Sequence, residues 1–291
     1  MLAQVILTPS ESKKLVSLAI ARMDIVKRAA RDGMVIMHPS SSTYFIFEEL
    51  TGMKPKTNYW VCGVVTPRGT CVEMAMLFGG HSPSPENYHP GDLKGLWAIR
   101  KGEIILEATL SELLDQMTAD DVYIKGVNAL DAQGKAGILI GEPMQGGALG
   151  LVIAAWRKKK FSLFYPAGLE KLIPVSIDQA AKEAKKAQYA YGMGLPTGLF
   201  PCVEGRVITE ITAVDLLSGA TAVPVAAGGL GGAEGASILV IKGTDEQVKC
   251  AIDYIEQSKG AHLPQLRLCN CSDCPVPDCK FPVGNKHWVT G

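Results

Sequence analysis

Residues 120–174 read, in order, as a strand, a turn, a second strand, a glycine-rich loop, a helix and a last strand, and no other stretch restricts the fold as much. Asp121 to Lys125 is a short, mainly apolar strand that stops at Gly126. Val127 to Asp131 follow, then a Gln133-Gly134 turn and a second apolar run, Ala136 to Ile140. The loop from Gly141 to Gly147 feeds the apolar segment Ala148 to Trp156. Arg157, Lys158, Lys159 and Lys160 close that segment, as cations do at the negative end of a helix dipole. Phe161 to Tyr165 is the last strand, ended by Pro166, Ala167 and Gly168. Strand, loop, helix and strand in this order predict a βαβ crossover with a loop of backbone donors at its centre. Such a loop has the character of a ligand cradle, in which Glu142, Gly146 and Gly147 are candidate contacts.

With 291 residues, 47% of them hydrophobic and 20% charged, the chain can bury one large core or two modest ones. Lysine plus arginine (29) equals aspartate plus glutamate (29). Zero formal charge argues against duplex DNA or an anionic membrane as a bulk electrostatic partner. No apolar run approaches the ~20 residues of a membrane span, and the start lacks the pattern of a secretory leader. The reading is a soluble cytoplasmic protein with no nucleic-acid or membrane partner, and a homo-oligomer is compatible with it.

Upstream of the central stretch, Ser10 to Arg31 predicts one amphipathic helix with Leu15, Leu18, Ala19, Arg22, Ile25 and Val26 on its stripe. Met34 to Met37 is a strand that runs into His38-Pro39 and then Ser40, Ser41, Ser42 and Thr43, where a helix through Leu50 begins. Hydroxyls and unpaired N–H groups at a helix start suit an anion, and the same serines also read as a plain N-cap. Two apolar runs, Asn58 to Thr66 and Thr70 to Phe78, form a hairpin across Pro67, Arg68 and Gly69. Arg68 is a candidate charge partner for the anion. Cys62 and Cys71 read as buried small hydrophobes. His81 and His89 sit in the longest loop and read as surface histidines.

Downstream, Ser176 to Tyr191 predicts a lysine- and alanine-rich helix, and Gly192 to Gly198 a linker. Residues 1–191 are therefore expected to form one α/β domain and 199–262 a small α/β module. In the module, Val203 to Glu210 reads as a strand, Ala213 to Ser218 as a helix, Ser237 to Lys242 as a strand and Asp245 to Lys259 as a helix. The glycine loop from Gly228 to Gly235 precedes a strand and not a helix, so it predicts a hairpin or flap and not a dinucleotide fingerprint.

The segment Asp121, Ile124, Gly126, Asn128, Ala129, Gly134 with the Gly146-Gly147-Ala148 helix entry resembles the ribose-5-phosphate isomerase, glucosamine-6-phosphate deaminase and CoA-transferase-like superfamily, nearest to lactate-utilisation proteins. The strand and serine loop from Met34 to Thr43 is similar to the first phosphate-side loop of that fold. The resemblance covers about residues 12–175 and implies a Rossmann-like three-layer α/β fold binding sugar phosphates or CoA thioesters at the carboxyl ends of its strands. Isomerase or acyl-transfer chemistry is what it implies if the chain is an enzyme. Asn128 stands where the isomerases commonly carry a catalytic aspartate, and an asparagine is neither a general acid nor a base. Its expected role is to hydrogen-bond a ligand.

Cys269, Cys271, Cys274 and Cys279 lie within eleven residues in 263–291, with Pro275 and Pro277 between them and His287 as a spare ligand. Four thiols so spaced predict a zinc ion or a [4Fe–4S] cluster, which spacing alone does not separate. Two disulfides or a redox-active thiol tail are the alternative readings. The functional expectation is a protein that binds a small anionic metabolite, a phosphate ester or CoA derivative, and carries a metal-binding tail. The alternative is a redox or metal-handling accessory protein that acts through the cysteines.

Overall fold

The computed structural model describes residues 1–55, 64–66, 68–71, 95–105, 107–141, 146–184, 189–265 and 271. In chain order its strands and helices are β1 (Leu2–Leu7), α1 (Pro9–Arg22), α2 (Asp24–Asp32), β2 (Met34–Met37), α3 (Ser41–Thr51), β3 (Val64–Thr66), β4 (Gly69–Cys71), β5 (Trp97–Arg100), β6 (Glu103–Ile105) and α4 (Leu110–Gln116). Then come β7 (Val122–Ile124), β8 (Ala129–Leu130), β9 (Ala136–Ile140), α5 (Gly147–Lys159), β10 (Ser162–Pro166), a 3-10 turn (Leu169–Lys171) and α6 (Ile177–Glu183). The chain finishes with β11 (Gly198–Cys202), β12 (Arg206–Ile208), α7 (Glu210–Ser218), β13 (Thr221–Gly228), β14 (Ala236–Lys242) and α8 (Asp245–Ser258).

The central sheet runs β12-β10-β7-β2-β5-β6. The first four strands are parallel, β5 runs antiparallel to β2, and β6 turns back antiparallel to β5. Alternation with period two sends Val35, Met37, Val122 and Ile124 to one face, where α1 and α3 pack. Met34, Ile36 and Tyr123 point to the other face, against α4 and α5. This is a three-layer α/β sandwich of Rossmann-like character. The crossover β7–α5–β10 pairs Val122 with Ser162 in parallel, as the sequence requires. Asp121 pins the start of two strands: its Oδ1 accepts from the Met34 amide at 2.6 Å, and Oδ2 accepts from the Thr118 amide at 2.6 Å.

A second sheet, β1-β14-β13, is antiparallel throughout. Its inner residues Leu7, Ala222, Leu239 and Ile241 join the core with Ala213, Val214, Val248, Ala251 and Ile255 of α7 and α8. Among the described residues three strand pairings link the two sides of residue 192: β1 with β14, β10 with β12, and β9 with β11. The glycine-rich stretch is a hairpin between β13 and β14, as the sequence predicts.

Several expected elements differ. The single helix from Ser10 to Arg31 is broken at Met23, which is extended (φ −64°, ψ 132°). The bend lets α2 turn Val26 and Ala29 into the same core cluster as Leu15, Val16, Ala19 and Ile20 of α1. The helix expected through Tyr191 ends as α6 at Glu183, because only Ile177 in it is buried and no apolar stripe carries it further. The linker is hydrogen-bonded structure: Thr70 N donates to Met193 O at 3.0 Å, and Leu195 N donates to Thr70 O at 2.7 Å. The strand expected from Val203 to Glu210 is the shorter β12, since Glu210 opens α7. Among the described residues no helix is long and apolar enough to cross a membrane.

Candidate functional site

At the carboxyl ends of β2 and β7 and just beyond β10, the chain encloses a cavity of about 700 Å³. Its lining includes Lys13, His38, Ser40 to Ser42, Lys125, Asn128, Glu170 and Lys171. Leu263 and Pro264, beyond α8, complete one side. Open α/β sheets bind ligands in this place because successive loops diverge there.

One wall is the start of α3. Ser40 is its N-cap, and its Oγ accepts from the Thr43 amide at 3.2 Å. The Ser40 amide donates to Thr43 Oγ1 at 3.0 Å, and that hydroxyl donates to His38 O at 2.7 Å. Ser40 and Thr43 therefore build the cap, and Thr43 is fully buried in it. Ser41 and Ser42 occupy the first turn, where helix amides have no intrahelical acceptor. The N-cap reading thus falls on Ser40 and Thr43, and Ser41 and Ser42 are cavity-lining residues outside the cap hydrogen bonds.

The second wall leaves β7 through Lys125 and Gly126. A Cβ at Gly126 would stand 2.6 Å from Ser40 Oγ, so only glycine lets the serine loop lie this close over the strand end. Asn128 lines the cavity, with its Oδ1 committed to the Leu139 amide at 2.9 Å. His38 Nδ1 and the Tyr123 hydroxyl share a buried hydrogen bond of 2.8 Å. Burial, with the Lys125 charge second, holds His38 well below its usual value, so it is neutral.

The third wall is the 3-10 turn after β10. Lys171 Nζ donates to Ser42 Oγ at 3.1 Å. Glu170 Oε1 pairs with Lys13 Nζ at 2.6 Å, while its Oε2 is buried with no hydrogen-bond partner. Burial, with Lys13 next, lowers Lys171 to about 8 against the opposing pull of Glu170 and Glu210. Glu210 holds the turn from behind, both of its oxygens accepting from the Leu169 amide at 3.0 Å. Three lysines against one glutamate around a neutral histidine leave the cavity cationic. A group that returns charge to Lys171 gains more here than in water, because the ammonium is already desolvated.

Of the residues singled out in the sequence, the fold brings Ser40, Ser41, Ser42 and Asn128 to this cavity, with Thr43 directly behind. Arg68 sits in the β3–β4 turn, its amide donating to Thr66 Oγ1 at 3.2 Å, and is not in the lining. Gly146 and Gly147 open α5 beside Phe200 and do not line the cavity. Glu142 lies outside the described residues. Lys13, Lys125, Glu170 and Lys171 were not foreseen; the available signal is that Lys125 and Lys171 each follow a buried strand of the parallel set.

Cys271 is a half-buried free thiol, whereas Cys269, Cys274, Cys279, Cys62, His81, His89 and His287 lie outside the described residues. Among the described residues no three histidine, cysteine or acidic groups converge as a metal site. Cys202 and Cys250 are free thiols as well.

No protein-family model matches the sequence, and no curated protein matches it. Among solved structures, the chain overlaps a D-ribose-5-phosphate isomerase in complex with phospho-erythronic acid at 14% identity and a TM-score of 0.29, covering 84% of this chain and 85% of that one. It overlaps ribose 5 phosphate isomerase A from Neisseria gonorrhoeae at 14% identity and a TM-score of 0.27, covering 88% and 87%. Overlap this loose assigns no family, and the fold class stands on the sheet itself. The expected nearness to lactate-utilisation proteins has no support in these two matches.

Proposed function

We propose that the cavity at the ends of β2, β7 and β10 binds a small anionic metabolite, a phosphate ester by preference. The observation that carries the reading is the Lys171 ammonium, hydrogen-bonded at 3.1 Å to Ser42 in the first turn of α3. Lys125 and Lys13 face the same space. A phosphate there would meet helix-turn amides, serine hydroxyls and ammonium groups together. A volume of about 700 Å³ suits a sugar-phosphate-sized ligand better than a whole CoA derivative. Glu170 is the carboxylate in the cavity lining, and so the candidate to accept a proton from such a ligand if isomerisation or acyl transfer takes place. Titration calorimetry with inorganic phosphate and ribose 5-phosphate tests the reading. Binding that Lys171→Met weakens at least tenfold supports it, and equal affinity in the variant refutes it.

The cysteine tail supplies the second part. Pro264 lines the cavity and Cys269 follows five residues later, a reach of at most roughly 18 Å of chain. Cys269, Cys271, Cys274 and Cys279 would hold zinc or a [4Fe–4S] cluster near the anion, in the reducing setting of the cytoplasm. A redox or metal-handling role follows if the group is iron and sulfide. Elemental analysis and a visible spectrum of protein purified without oxygen decide this. About one zinc per chain makes the tail structural, iron with sulfide makes it redox-active, and no metal removes the proposal.

A further inference from the structure

Among the described residues, helices cover one face of the β1-β14-β13 sheet and none covers the other. Its outward residues fall in three cross-strand rows: Leu2, Lys242 and Thr221; Gln4, Val240 and Val223; Ile6, Ile238 and Ala226. Leu2 is 69% exposed, Ile6 50%, Val223 50% and Val225 54%, and Leu230 at the hairpin tip is 89% exposed. At ~100 Å² for each fully exposed aliphatic side chain, Leu2, Ile6 and Val223 with Val225 of the bulge and the half-buried Ile238 and Val240 present on the order of 300 Å² of apolar surface. That is comparable with the largest apolar patch on a typical single chain, and such patches are often contact sites.

We propose that this face is a two-fold interface between two copies of the chain, packed sheet against sheet. Three features favour a second copy. Lys242 is the one charge in the three rows and stands at a corner, so the face selects neither an acidic nor a basic partner. Gln4 lies in the middle row, and a side-chain amide both donates and accepts, so it is able to pair with its own symmetry mate. The chain carries no net charge to set two copies against each other.

Association is directed away from the β13 edge. Pro224, on edge strand β13, has no amide hydrogen to offer another strand, and the register slips between Pro224 and Ala226. A proline and a bulge together blunt an edge. The outward side chains offer a route of contact, in the packing of a β-sandwich. This inference is independent of the anion site, which opens on the other sheet.

Sedimentation equilibrium of the full chain at about 1 to 100 µM tests the proposal. The expected result is a mass twice the 31.0 kDa of the chain. Val223→Lys and, separately, Ile6→Lys each replace an outward side chain on a different strand. Each is expected to raise the dimer dissociation constant at least tenfold while leaving the circular dichroism spectrum and phosphate affinity as in the parent. A dimer unchanged by both substitutions overturns the proposal. A monomer at 100 µM overturns it too, whether hydrogen exchange then shows β13 protected by the chain itself or open to another protein.

Discussion

Lys171 concentrates the chemistry of the cavity in one ammonium group. A lysine in water stays charged past pH 10. Burial, with the Lys13 charge second, holds this one at about 8. Its charged form is therefore a cost to the free fold below pH 8, and that cost is relieved as pH rises toward 10.5. Anion binding has the opposite sign, because it needs the proton. Affinity for inorganic phosphate is expected to hold up to about pH 8 and then fall by up to tenfold per pH unit. Calorimetry between about pH 7 and 9.5 reads this directly, and a flat profile would take Lys171 out of contact with the anion. Neutral His38 contributes no second step near pH 6.5, since burial has already stripped its proton.

Elements matter to the site through how closely they approach. The serine loop lies over β7 only because residue 126 has no side chain. Gly126→Ala would push Ser40 and the start of α3 away from Lys125 and Lys171. Phosphate affinity is expected to drop about tenfold, with a loss of stability of about 1 to 2 kcal/mol measured by urea unfolding. If affinity stays while stability falls, the loop does not position the ligand. The serine wall was legible in the sequence, because an apolar strand running into hydroxyl residues signals a helix cap at a strand end. The lysines were not, because a lysine beside a strand has the same spacing whether it faces solvent or a cavity. Lys13 is further from legible still: its partner Glu170 lies 157 residues away, and only the packing of α1 across the sheet brings them together. The expected cradle at Gly146 and Gly147 is a sound helix entry that the fold directs toward Phe200. Local sequence specifies that helix start but not which space it faces.

For the molecule as a whole, the small sheet and its helices lock onto the large one through a continuous core. Leu7 is fully buried at the end of β1, in the cluster that also holds Ile20 of α1, Val35 of β2 and Ile241 of β14. Leu7→Ala is expected to cost about 2 to 5 kcal/mol. Because one core joins both sheets, urea unfolding followed at Trp97 and by circular dichroism should shift together. Separate transitions would mean that the two sheets unfold independently. The same connectivity explains why β1 was not recognised as a strand. Its alternation is weak, with Ala3 and Gln4 in the middle, and the strand that completes it is far along the chain. The layered α/β class was nonetheless readable, because β7, α5 and β10 are contiguous.

The pairing of Leu2 with Lys242 also sets a timetable for synthesis. Translation at about 5 to 20 residues per second places the two strands roughly 12 to 48 s apart. During that interval β1, with Leu2, Val5, Ile6 and Leu7, has no strand beside it, while β2 and β7 can already pair. The nascent chain thus carries an open apolar strand through most of its own production, and the small sheet closes only when β14 leaves the ribosome.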